Sequence, residues 1–432
     1  MLSQFLQRYP RLWMLASRLY GLDNFNPNKV KFKRKSKVQY VCQFENTNYK
    51  LIFDGQCFQT KTHQRGIGQY SLHLLKTICT QRPDEKFAIF LTNLVHEKDL
   101  EFAVNILSEL KAPNLDIVVI DVFGSSKKTS LIEAQERLRT SISKSYCNFI
   151  ICLSPFENPL NSLPLPNRLG LLRIAILYDL IPIQFSKSLL TSRRLKSTYY
   201  WSLSNICEFD LLLSISNKTK VSWVDLAISD VPIELIYGAN SDWSTLKNSD
   251  KDFYSRSGII SIGAEQPHKN IDRLIQSYSL LKSDVQKKHD LYILGIRSQG
   301  YKKRLTQLSK DCIGRVLILD YLSNEELETY LRRSRLLVMP SLAEGLSLPL
   351  LDAWANGLVT IGSRGSVAEE IIANEDLLFD PLSSVSISQQ IQRYLENGNE
   401  WMDALDHCKE RASDFSWEKT AKLTMSAIEN LY

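Results

Sequence analysis

The chain has 432 residues, of which 44% are hydrophobic and 23% charged, and its formal net charge is +6. This length exceeds what one compact core normally holds, so two folded domains are expected. The small positive charge fits an anionic ligand or an anionic membrane surface. No basic stripe with interleaved aromatic residues is present, so nucleic acid is not an expected partner.

Eight cysteines are scattered without a Cys-x-x-Cys pair, and the six histidines show no metal-ligand spacing. We therefore expect no metal and no redox motif. No apolar stretch approaches the ~20 residues of a membrane span, and the N-terminus lacks the features of a signal peptide. These features favour a cytoplasmic protein, and the charge is compatible with peripheral contact at the inner face of the plasma membrane.

Residues 1–47 form an N-terminal extension in which an apolar part precedes a basic run. The apolar part comprises Leu2, Phe5, Leu6, Leu12, Trp13, Leu15 and Leu19, and the basic run comprises Lys29, Lys31, Lys33, Arg34, Lys35 and Lys37. An amphipathic segment on a membrane surface fits this pattern, and so does a docked helix followed by a solvated loop.

Residues 48–245 alternate between apolar runs and helical patterns, which predicts an α/β domain. The predicted strands are Tyr49–Asp54, Phe87–Thr92, Leu115–Val122, Phe149–Ser154, Arg173–Leu177 and Leu211–Ser216. Two features of this domain attract attention. Arg65, Gly66 and Gly68 precede a helix predicted at Gln69–Ile78, and glycines there allow backbone to approach a phosphate, although a plain turn fits as well.

Asp179 is the second feature, because it is an acid at the end of a predicted strand, where a turn or helix-cap role is equally compatible. Farther along, a basic group at Arg193, Arg194 and Lys196 precedes aromatic residues. This group fits either the lipid phosphate of a substrate or no ligand at all.

A polar, unpatterned stretch at Asn240–Asp252 separates this domain from a second one at residues 250–412. Strands and helices again alternate. The predicted elements are strands at Gly258–Gly263, Leu291–Gly295 and Val316–Asp320 and helices at Ile271–Leu281, Lys302–Cys312 and Asn324–Arg333. Lys269 and His268 lie in the loop between the first strand and helix, where a lysine can neutralise a diphosphate. Residues 413–432 contain a last helix, expected to cross back to the N-terminal domain.

The most informative segment runs from Arg335 to Glu370. A buried strand is predicted from Leu336, then a loop with Glu344, and then a helix beginning near Ser347 and carrying Asp352. The N–H groups of Gly345, Leu346, Ser347 and Leu348 point out of such a helix start, which attracts phosphate. Carboxylates nearby suit sugar hydroxyls. Each acid alone is more typical of a solvated surface, but together they predict a nucleotide-sugar site.

The segment also resembles the signature Pro-Ser-x-x-Glu-Gly-Phe-Gly-Leu-Pro-x-x-Glu-Ala-x-Ala-x-Gly of retaining glycosyltransferase family 4. The matching residues are Pro340, Ser341, Glu344, Gly345, Leu348, Pro349, Ala353, Ala355 and Gly357. Three residues depart from it: Leu346 replaces Phe, Ser347 replaces Gly, and Asp352 replaces the second Glu. The resemblance implies that Glu344 contacts the transferred sugar, and that Asp352, one methylene shorter than Glu, binds the ribose.

Three further elements are similar to elements of this family. The Arg65–Tyr70 segment resembles Arg-Gly-Ile-Gly-Arg-Tyr. The loop of Lys269 resembles Gly-x-x-x-Pro-Arg-Lys-Asn, with His268 in place of Arg, and some members also carry an Arg where this chain has Ala264. Asp179 resembles the acid of His-Asp-x-x-Pro, with Tyr178 in place of His, and this resemblance implies a catalytic residue that faces the sugar from the N-terminal domain. The fold implied is GT-B: two doubly wound, Rossmann-like parallel-sheet domains of the α/β class that face each other across a cleft.

The activity implied is hexosyl transfer from a nucleotide-diphosphate sugar, without a metal or other cofactor and with retention of configuration. GDP-mannose is the first candidate donor, with UDP and ADP sugars open. A glycan or lipid-linked oligosaccharide in bacterial surface polysaccharide or lipopolysaccharide synthesis is the expected acceptor. Two alternatives stay open: a non-catalytic relative that binds a nucleotide sugar or serves as a scaffold, and a glycosidic phosphorylase.

Overall fold

The computed structural model describes residues 30–35, 44, 47–167, 169–226, 228–241, 255–263 and 265–431. They divide into two compact units. Unit 1 contains the described residues up to Tyr237 together with those from Trp417 onward, and unit 2 contains the described residues from Gly238 to Ser416. Most of the N-terminal extension, the polar stretch that follows Ser241, and Ala264 lie outside the described residues.

Unit 1 is built on a parallel sheet of seven strands in the order β4-β3-β2-β6-β7-β8-β9. These strands are β2 (Leu51–Asp54), β3 (Phe87–Thr92), β4 (Leu115–Ile120), β6 (Phe149–Cys152), β7 (Leu172–Leu177), β8 (Leu211–Ser214) and β9 (Ile233–Leu235). The central strands β2, β3, β6 and β8 are buried along their whole length. Continuous apolar strands of this kind are typical of a parallel sheet covered on both faces.

Eight helices belong to the described part of unit 1. They are α1 (Gly66–Gln81), α2 (Glu97–Ser108), α3 (Leu131–Ile142), α4 (Ile181–Gln184), α5 (Ser186–Leu189), α6 (Arg193–Ile206), α7 (Asn217–Asp225) and the C-terminal helix Trp417–Glu429. That last helix packs on α1, where the Trp417 indole stacks on His73 with the ring centres 5.1 Å apart. At its other end Glu429 pairs with Arg82 and with Lys50.

The described part of the basic run is folded. Strand β1 (Lys31–Lys33) pairs antiparallel with β5 (Lys128–Ser130), outside the main sheet. Arg34 donates to Asp121 at 3.0 Å and to the carbonyl of Gly124. At this end of the run the alternative of a solvated loop is therefore wrong, because cross-strand pairing and an ion pair hold it on unit 1.

Unit 2 contains a parallel sheet of six strands in the order β12-β11-β10-β13-β14-β15. The strands are β10 (Ile259–Ile262), β11 (Leu291–Leu294), β12 (Val316–Ile318), β13 (Leu336–Met339), β14 (Val359–Ser363) and β15 (Leu378–Phe379). The helices, numbered onward from unit 1, are α8 (Ile271–Ser279), α9 (Ser283–Lys288), α10 (Gln299–Leu308), α11 (Asn324–Arg333), α12 (Leu348–Ala355), α13 (Val367–Ile372), α14 (Ser384–Glu396) and α15 (Gly398–Ala412). The C-terminal helix of unit 1 is accordingly α16.

Each sheet has one point where the order of its strands reverses. In unit 2 the chain runs outward from β10 to β12 and then returns to place β13 on the other side of β10. In unit 1 the corresponding pair is β2 and β6. The loops that leave two such strands diverge, and doubly wound proteins bind ligands in the opening at the carboxyl ends of these strands.

The predicted α/β class and the two parallel, doubly wound sheets are confirmed. Helix α11 and strand β3 have the predicted bounds, and the other predicted elements differ by a few residues at their ends. Within the described ranges, no helix is long and apolar enough to cross a membrane.

Candidate active site

The principal predicted residues of unit 2 meet where its strand order reverses. The loop after β10 carries His268 and Lys269, and the loop after β13 carries Glu344. Because β10 and β13 are adjacent and parallel, their carboxyl ends lie side by side. Two segments separated by some seventy positions in sequence thereby form one site.

Hydrogen bonds at three successive positions join these two loops. The Asn270 side chain donates to the carbonyl of Pro340 at 3.0 Å, and the backbone N–H of Leu342 donates to the carbonyl of His268 at 2.7 Å. The third contact is the ion pair between Lys269 and Glu344. Asn270 adopts a left-handed backbone conformation, with φ of 59°, which asparagine tolerates better than most residues. The loops are thus fixed relative to each other before any ligand binds.

The ion pair is short and mostly shielded from solvent. Lys269 Nζ lies 2.7 Å from Oε1 and 2.8 Å from Oε2 of Glu344. The side chains are 18% and 11% exposed, respectively. Lys269 is a cation that can bind phosphate oxygens, and Glu344 is an acid that can accept hydrogen bonds from sugar hydroxyls. The two side chains are hydrogen-bonded to each other.

Helix α12 begins beside Glu344 and offers unpaired donors. Within the described residues, the backbone N–H groups of Gly345, Leu346, Ser347 and Leu348 bond to no acceptor. Ser347 precedes the helix in a left-handed conformation, with φ of 69° and ψ of 62°, and its side chain does not cap the helix. Free N–H groups at the positive end of a helix dipole form an anion-binding site.

His268 precedes Lys269 in the same loop and is 2% exposed. Its pKa is lowered to about 4, mainly by burial and also by the positive charge of Lys269, while Glu344 opposes the shift. The imidazole is therefore neutral at pH 7. It does not supply the positive charge that arginine has at this place in the related pattern, so positive charge toward an anion comes from Lys269 and the helix start.

Asp352 lies on α12 but is not open to solvent. It is 5% exposed, its Oδ1 accepts from the backbone N–H of Ser241 at 2.7 Å, and its Oδ2 accepts from the Ser241 hydroxyl at 3.3 Å. Asp352 thus contacts the segment by which the chain enters unit 2.

A stacked pair lies farther along the same edge of the sheet. The guanidinium carbon of Arg297, after β11, is 4.0 Å from the ring centre of Tyr321, after β12. Tyr321 is 50% exposed, and Glu265 accepts from the backbone N–H of Arg297 at 2.6 Å. Gly295, which follows β11, leaves no room for a side chain, because a Cβ there would lie 2.6 Å from the carbonyl oxygen of Gly263. A flat, exposed cation–π pair suits an aromatic base.

Arg65, Gly66 and Gly68 lie in unit 1, at the start of α1. Arg65 and Gly66 are exposed, and Arg65 makes no side-chain cap of the helix. Gly68 has a packing reason to be glycine, since a Cβ there would lie 2.4 Å from Cα of His63. The backbone of the preceding turn (Lys61–Gln64) fills that space, so close packing of the chain against itself requires glycine at this position.

Asp179 follows β7 and accepts from the backbone N–H of Ile181 at 3.0 Å, where α4 begins. It therefore makes a turn of the helix-cap type. The preceding Tyr178 is buried, and its hydroxyl lies 2.9 Å from the hydroxyl of Ser71 on α1. The strand end that carries Asp179 and the helix that begins at Gly66 are thus neighbours in unit 1.

Asp54 is a buried acid that the sequence reading did not single out. It ends β2, next to Cys152 at the end of β6, with 3.7 Å between Oδ2 and Sγ. Gln56 donates to Asp54 Oδ1 from its backbone at 3.1 Å and from its side chain at 3.0 Å. Burial raises the pKa of Asp54 to about 7, against the effect of these hydrogen bonds. The sequence signal that could have identified Asp54 is the position of an acid at the end of a central strand.

The structure thus brings Lys269, His268, Glu344 and residues 345–348 together in unit 2. Asp352 lies on the helix that begins there and bonds to Ser241, and Arg65, Gly66, Gly68 and Asp179 belong to unit 1. In the part of the chain that the structure describes, no cluster of His, Cys, Asp and Glu has the makings of a metal site.

Residues 247–414 match the family described as glycosyl transferases group 1. The matched region carries the Lys269–Glu344 pair.

The curated relatives include mannosyltransferases. The chain is 21% identical over 411 residues to the serotype-specific mannosyltransferase WbdA of Escherichia coli, a match that covers 88% of this chain and 48% of the relative. It is 30% identical over 174 residues to the O-antigen chain mannosyltransferase B of Escherichia coli, covering 39% of this chain and 45% of the relative. The chain thus spans about half the length, or less, of these curated relatives.

Solved structures share the fold across both units. A crystal structure of HepE from Anabaena in complex with UDP and glucose matches with a TM-score of 0.66 at 14% identity, covering 89% of this chain and all of that one. The sucrose-phosphate synthase of Thermosynechococcus elongatus matches with a TM-score of 0.61 at 14% identity, covering 89% and 99%. The two-sheet architecture is therefore that of GT-B glycosyltransferases.

Proposed function

We propose that this protein is a retaining glycosyltransferase that moves a hexose from a nucleotide-diphosphate sugar to a glycan or lipid-linked acceptor. One observation carries the proposal. A lysine, a glutamate and four unbonded backbone N–H groups lie together where the strand order of unit 2 reverses. The lysine and the N–H groups can bind the anionic diphosphate of such a donor, and the glutamate can accept hydrogen bonds from the hydroxyls of its sugar.

In the proposed reaction the bond between the sugar C1 and the β-phosphate oxygen breaks, and an acceptor hydroxyl forms the new bond to C1. The proton of that hydroxyl passes to the departing phosphate. Lys269 and the N–H groups of residues 345–348 stabilise the negative charge of the leaving nucleoside diphosphate. Glu344 accepts from hydroxyls of the sugar and fixes its orientation. No metal is required in this scheme.

GDP-mannose is the donor we propose, because the curated relatives named above are mannosyltransferases. We place its base against the Arg297–Tyr321 pair, whose ring is half exposed at the same edge of the sheet. Stacking on Tyr321 tolerates any base, so UDP and ADP sugars are competing donors to be excluded by experiment. The change Tyr321→Ala should weaken binding of GDP without changing the preference for one sugar over another.

A thermal-shift panel of GDP, UDP, ADP and TDP, each with and without its sugar, tests the proposal. A ligand that binds the folded state raises the unfolding temperature in proportion to the logarithm of its concentration over Kd. GDP-mannose should give the largest shift, and Lys269→Met should abolish it. A larger shift with a UDP sugar would show that the donor is a UDP sugar and not GDP-mannose. No shift with any nucleotide would contradict the proposal. A response without sugar transfer would indicate a non-catalytic relative.

We further propose that unit 1 meets an anionic lipid surface near the start of α6. Arg193, Arg194 and Leu195 are exposed there, Leu195 by 53%. Two arginines at the positive end of a helix dipole are locally unfavourable, by ~0.3–1 kcal/mol each. Binding to anionic lipid, or to the phosphate of a lipid-linked acceptor, would neutralise these two charges and offset that cost.

Vesicle co-sedimentation tests the proposed contact with anionic lipid. The protein should bind vesicles that contain phosphatidylglycerol more strongly than pure phosphatidylcholine vesicles, and the double change Arg193→Glu with Arg194→Glu should remove the difference. The matched control is Lys287→Glu with Lys288→Glu, an equal change of charge at an exposed pair in unit 2. Equal binding by both double variants would contradict the assignment.

A further inference from the structure

Glu265 joins two loops at the edge of unit 2 where the strands end. It lies in the loop after β10, and its Oε1 accepts from the backbone N–H of Arg297 at 2.6 Å and from that of Ser298. Both of these residues follow β11, which pairs in parallel with β10. The Ser298 hydroxyl in turn accepts from the N–H of Tyr301 and caps α10. Two backbone donors thus hold one oxygen of the Glu265 carboxylate in place.

The other oxygen of this carboxylate is available to a ligand. Among the residues that the structure describes, none donates a hydrogen bond to Oε2 of Glu265, and the side chain is only partly buried. An ionised carboxylate has about four acceptor positions and no donor. A ligand group that binds at Oε2 must therefore present N–H or O–H donors.

Arg297 connects this carboxylate to the stacked pair. Its backbone N–H binds Glu265, while its guanidinium carbon lies 4.0 Å from the ring centre of Tyr321, which is 50% exposed. A base that stacks on such a pair leaves its hydrogen-bonding edge free for polar groups at the border of the stack. Glu265 is a polar group at that border, because it is bonded directly to a member of the pair.

A second acid adjoins the pair but already has a cation. Asp320 precedes Tyr321, and its Oδ2 accepts from Lys302 at 2.6 Å. The Asp320 side chain is 62% exposed, so solvent also competes for its oxygens. Of the two acids, Glu265 is the one that is fixed by backbone donors and keeps an oxygen without a protein partner.

Guanine differs from the other common bases in the donors on one edge. It presents the N1–H and the 2-amino group side by side, whereas uracil presents one N3–H between two carbonyls, and adenine presents an amino group beside an acceptor nitrogen. We infer that Glu265 selects guanine by accepting hydrogen bonds from the N1–H and the 2-amino group of the donor base through Oε2. This inference rests on the proposed function and ties the choice of nucleotide to one side chain.

Inosine diphosphate isolates the 2-amino group, because it lacks that group and otherwise equals GDP. The Kd values of GDP, inosine diphosphate and UDP are measured by calorimetry for the wild type and for Glu265→Gln. The wild type should bind GDP at least about tenfold more tightly than inosine diphosphate, as expected for a hydrogen bond to a charged acceptor. Glutamine keeps one acceptor for the backbone of Arg297 and Ser298 but places an amide NH2 at the position of Oε2. The ratio should therefore fall to within about twofold in the variant.

Asp320→Asn is the matched control, since it makes the same change of charge at the other acid beside Tyr321. It should keep the wild-type ratio. An unchanged ratio in Glu265→Gln, or a ratio lost only in Asp320→Asn, would overturn the inference. A wild type that prefers UDP to GDP would overturn it while leaving a nucleotide-sugar transferase in place. A wild type that binds no nucleotide would contradict the proposed function itself.

Kinetics separate selection of the base from an effect on the reaction. With GDP-mannose as donor, Glu265→Gln should raise KM by about tenfold and leave kcat nearly unchanged, because a contact to the base is the same in the ground state and the transition state. A fall in kcat at constant KM would show that Glu265 acts on the reacting groups through its loop, and would overturn the inference.

Discussion

Lys269 and Glu344 are joined by two contacts, at 2.7 and 2.8 Å, although 75 positions separate them in sequence. In the unliganded protein each neutralises the other. A donor that places phosphate at Lys269 and hydroxyls at Glu344 would substitute for these contacts rather than add to them. The pair thus holds two loops in place and keeps opposite charges ready for the two halves of one ligand.

Breaking the pair should cost more stability than breaking a surface pair. Lys269→Met leaves a shielded carboxylate without its cation, and we expect a loss of about 1–3 kcal/mol. Combining it with Glu344→Gln should recover part of that loss, because the unpaired charge is gone. Chemical denaturation followed by a probe in unit 2 measures both.

The control for this comparison is Lys282→Met, since Lys282 pairs with Glu396 at 3.1 Å and the side chains are 59% and 38% exposed. Exposed pairs contribute only ~0–1 kcal/mol. Equal losses for the two lysine variants would show that the Lys269–Glu344 pair behaves as an ordinary surface contact.

Ser347→Gly should stabilise the protein. Serine at φ of 69° places its Cβ in an unfavourable position, which costs roughly 1 kcal/mol and which glycine avoids. The higher entropy of glycine in the unfolded chain offsets part of this gain. Thermal unfolding at constant pH measures the net change in stability. Ser347→Val should shift the unfolding midpoint in the direction opposite to that of Ser347→Gly. A glycine variant less stable than the wild type would mean that the entropic cost of glycine exceeds the strain that it relieves.

Asp54→Asn should stabilise unit 1 at alkaline pH. Burial raises the pKa of this acid from 3.8 to about 7, so between these values the folded state binds a proton that the unfolded chain releases. The stability associated with the protonated form is present below pH 3.8 and is lost as the pH rises through about 7. Asparagine imitates the neutral acid, so the variant should match the wild type at about pH 3, below the pKa of the unfolded chain, and exceed it at pH 8.5. An equal difference at both pH values would contradict the raised pKa.

His289→Gln should show the opposite pH dependence in unit 2. Burial lowers the pKa of His289 from 6.5 to about 4, aided by Arg335 and Lys288, and its Nδ1 accepts from the backbone N–H of Gly258 at 3.1 Å. The unfolded chain therefore binds the extra proton between pH 6.5 and 4. The stability contributed by the neutral ring is present above pH 6.5 and falls as the pH falls. The variant should be less stable than the wild type at pH 7.5, and this difference should shrink by pH 5.

Much of the fold was predictable because local patterns agree with the final structure. Helix α11 begins after Ser323, whose side chain and that of Glu326 form a reciprocal cap, and both residues are visible in sequence. The strands are continuous apolar runs, which parallel sheets buried on both faces require. Lys269 and Glu344 were predicted as site residues because each follows a strand, at the edge where doubly wound sheets bind ligands.

The partners of these residues were not predictable in the same way. The bond from Asp352 to Ser241 spans 111 positions, and no local pattern indicates it. Gly68 likewise packs against the backbone of His63, which belongs to the preceding turn. In both cases the contact is tertiary, and sequence spacing alone does not predict it.

The most direct test of the account is sugar transfer by variants of Glu344. Purified wild-type protein, Glu344→Ala and the surface control Glu396→Ala are incubated with radiolabelled GDP-mannose and a mannosylated lipid-linked acceptor, and the labelled product is counted. The account predicts transfer by the wild type and the control, and at least about a hundredfold less by Glu344→Ala. Undiminished transfer by Glu344→Ala, with its fold intact by circular dichroism, would contradict it.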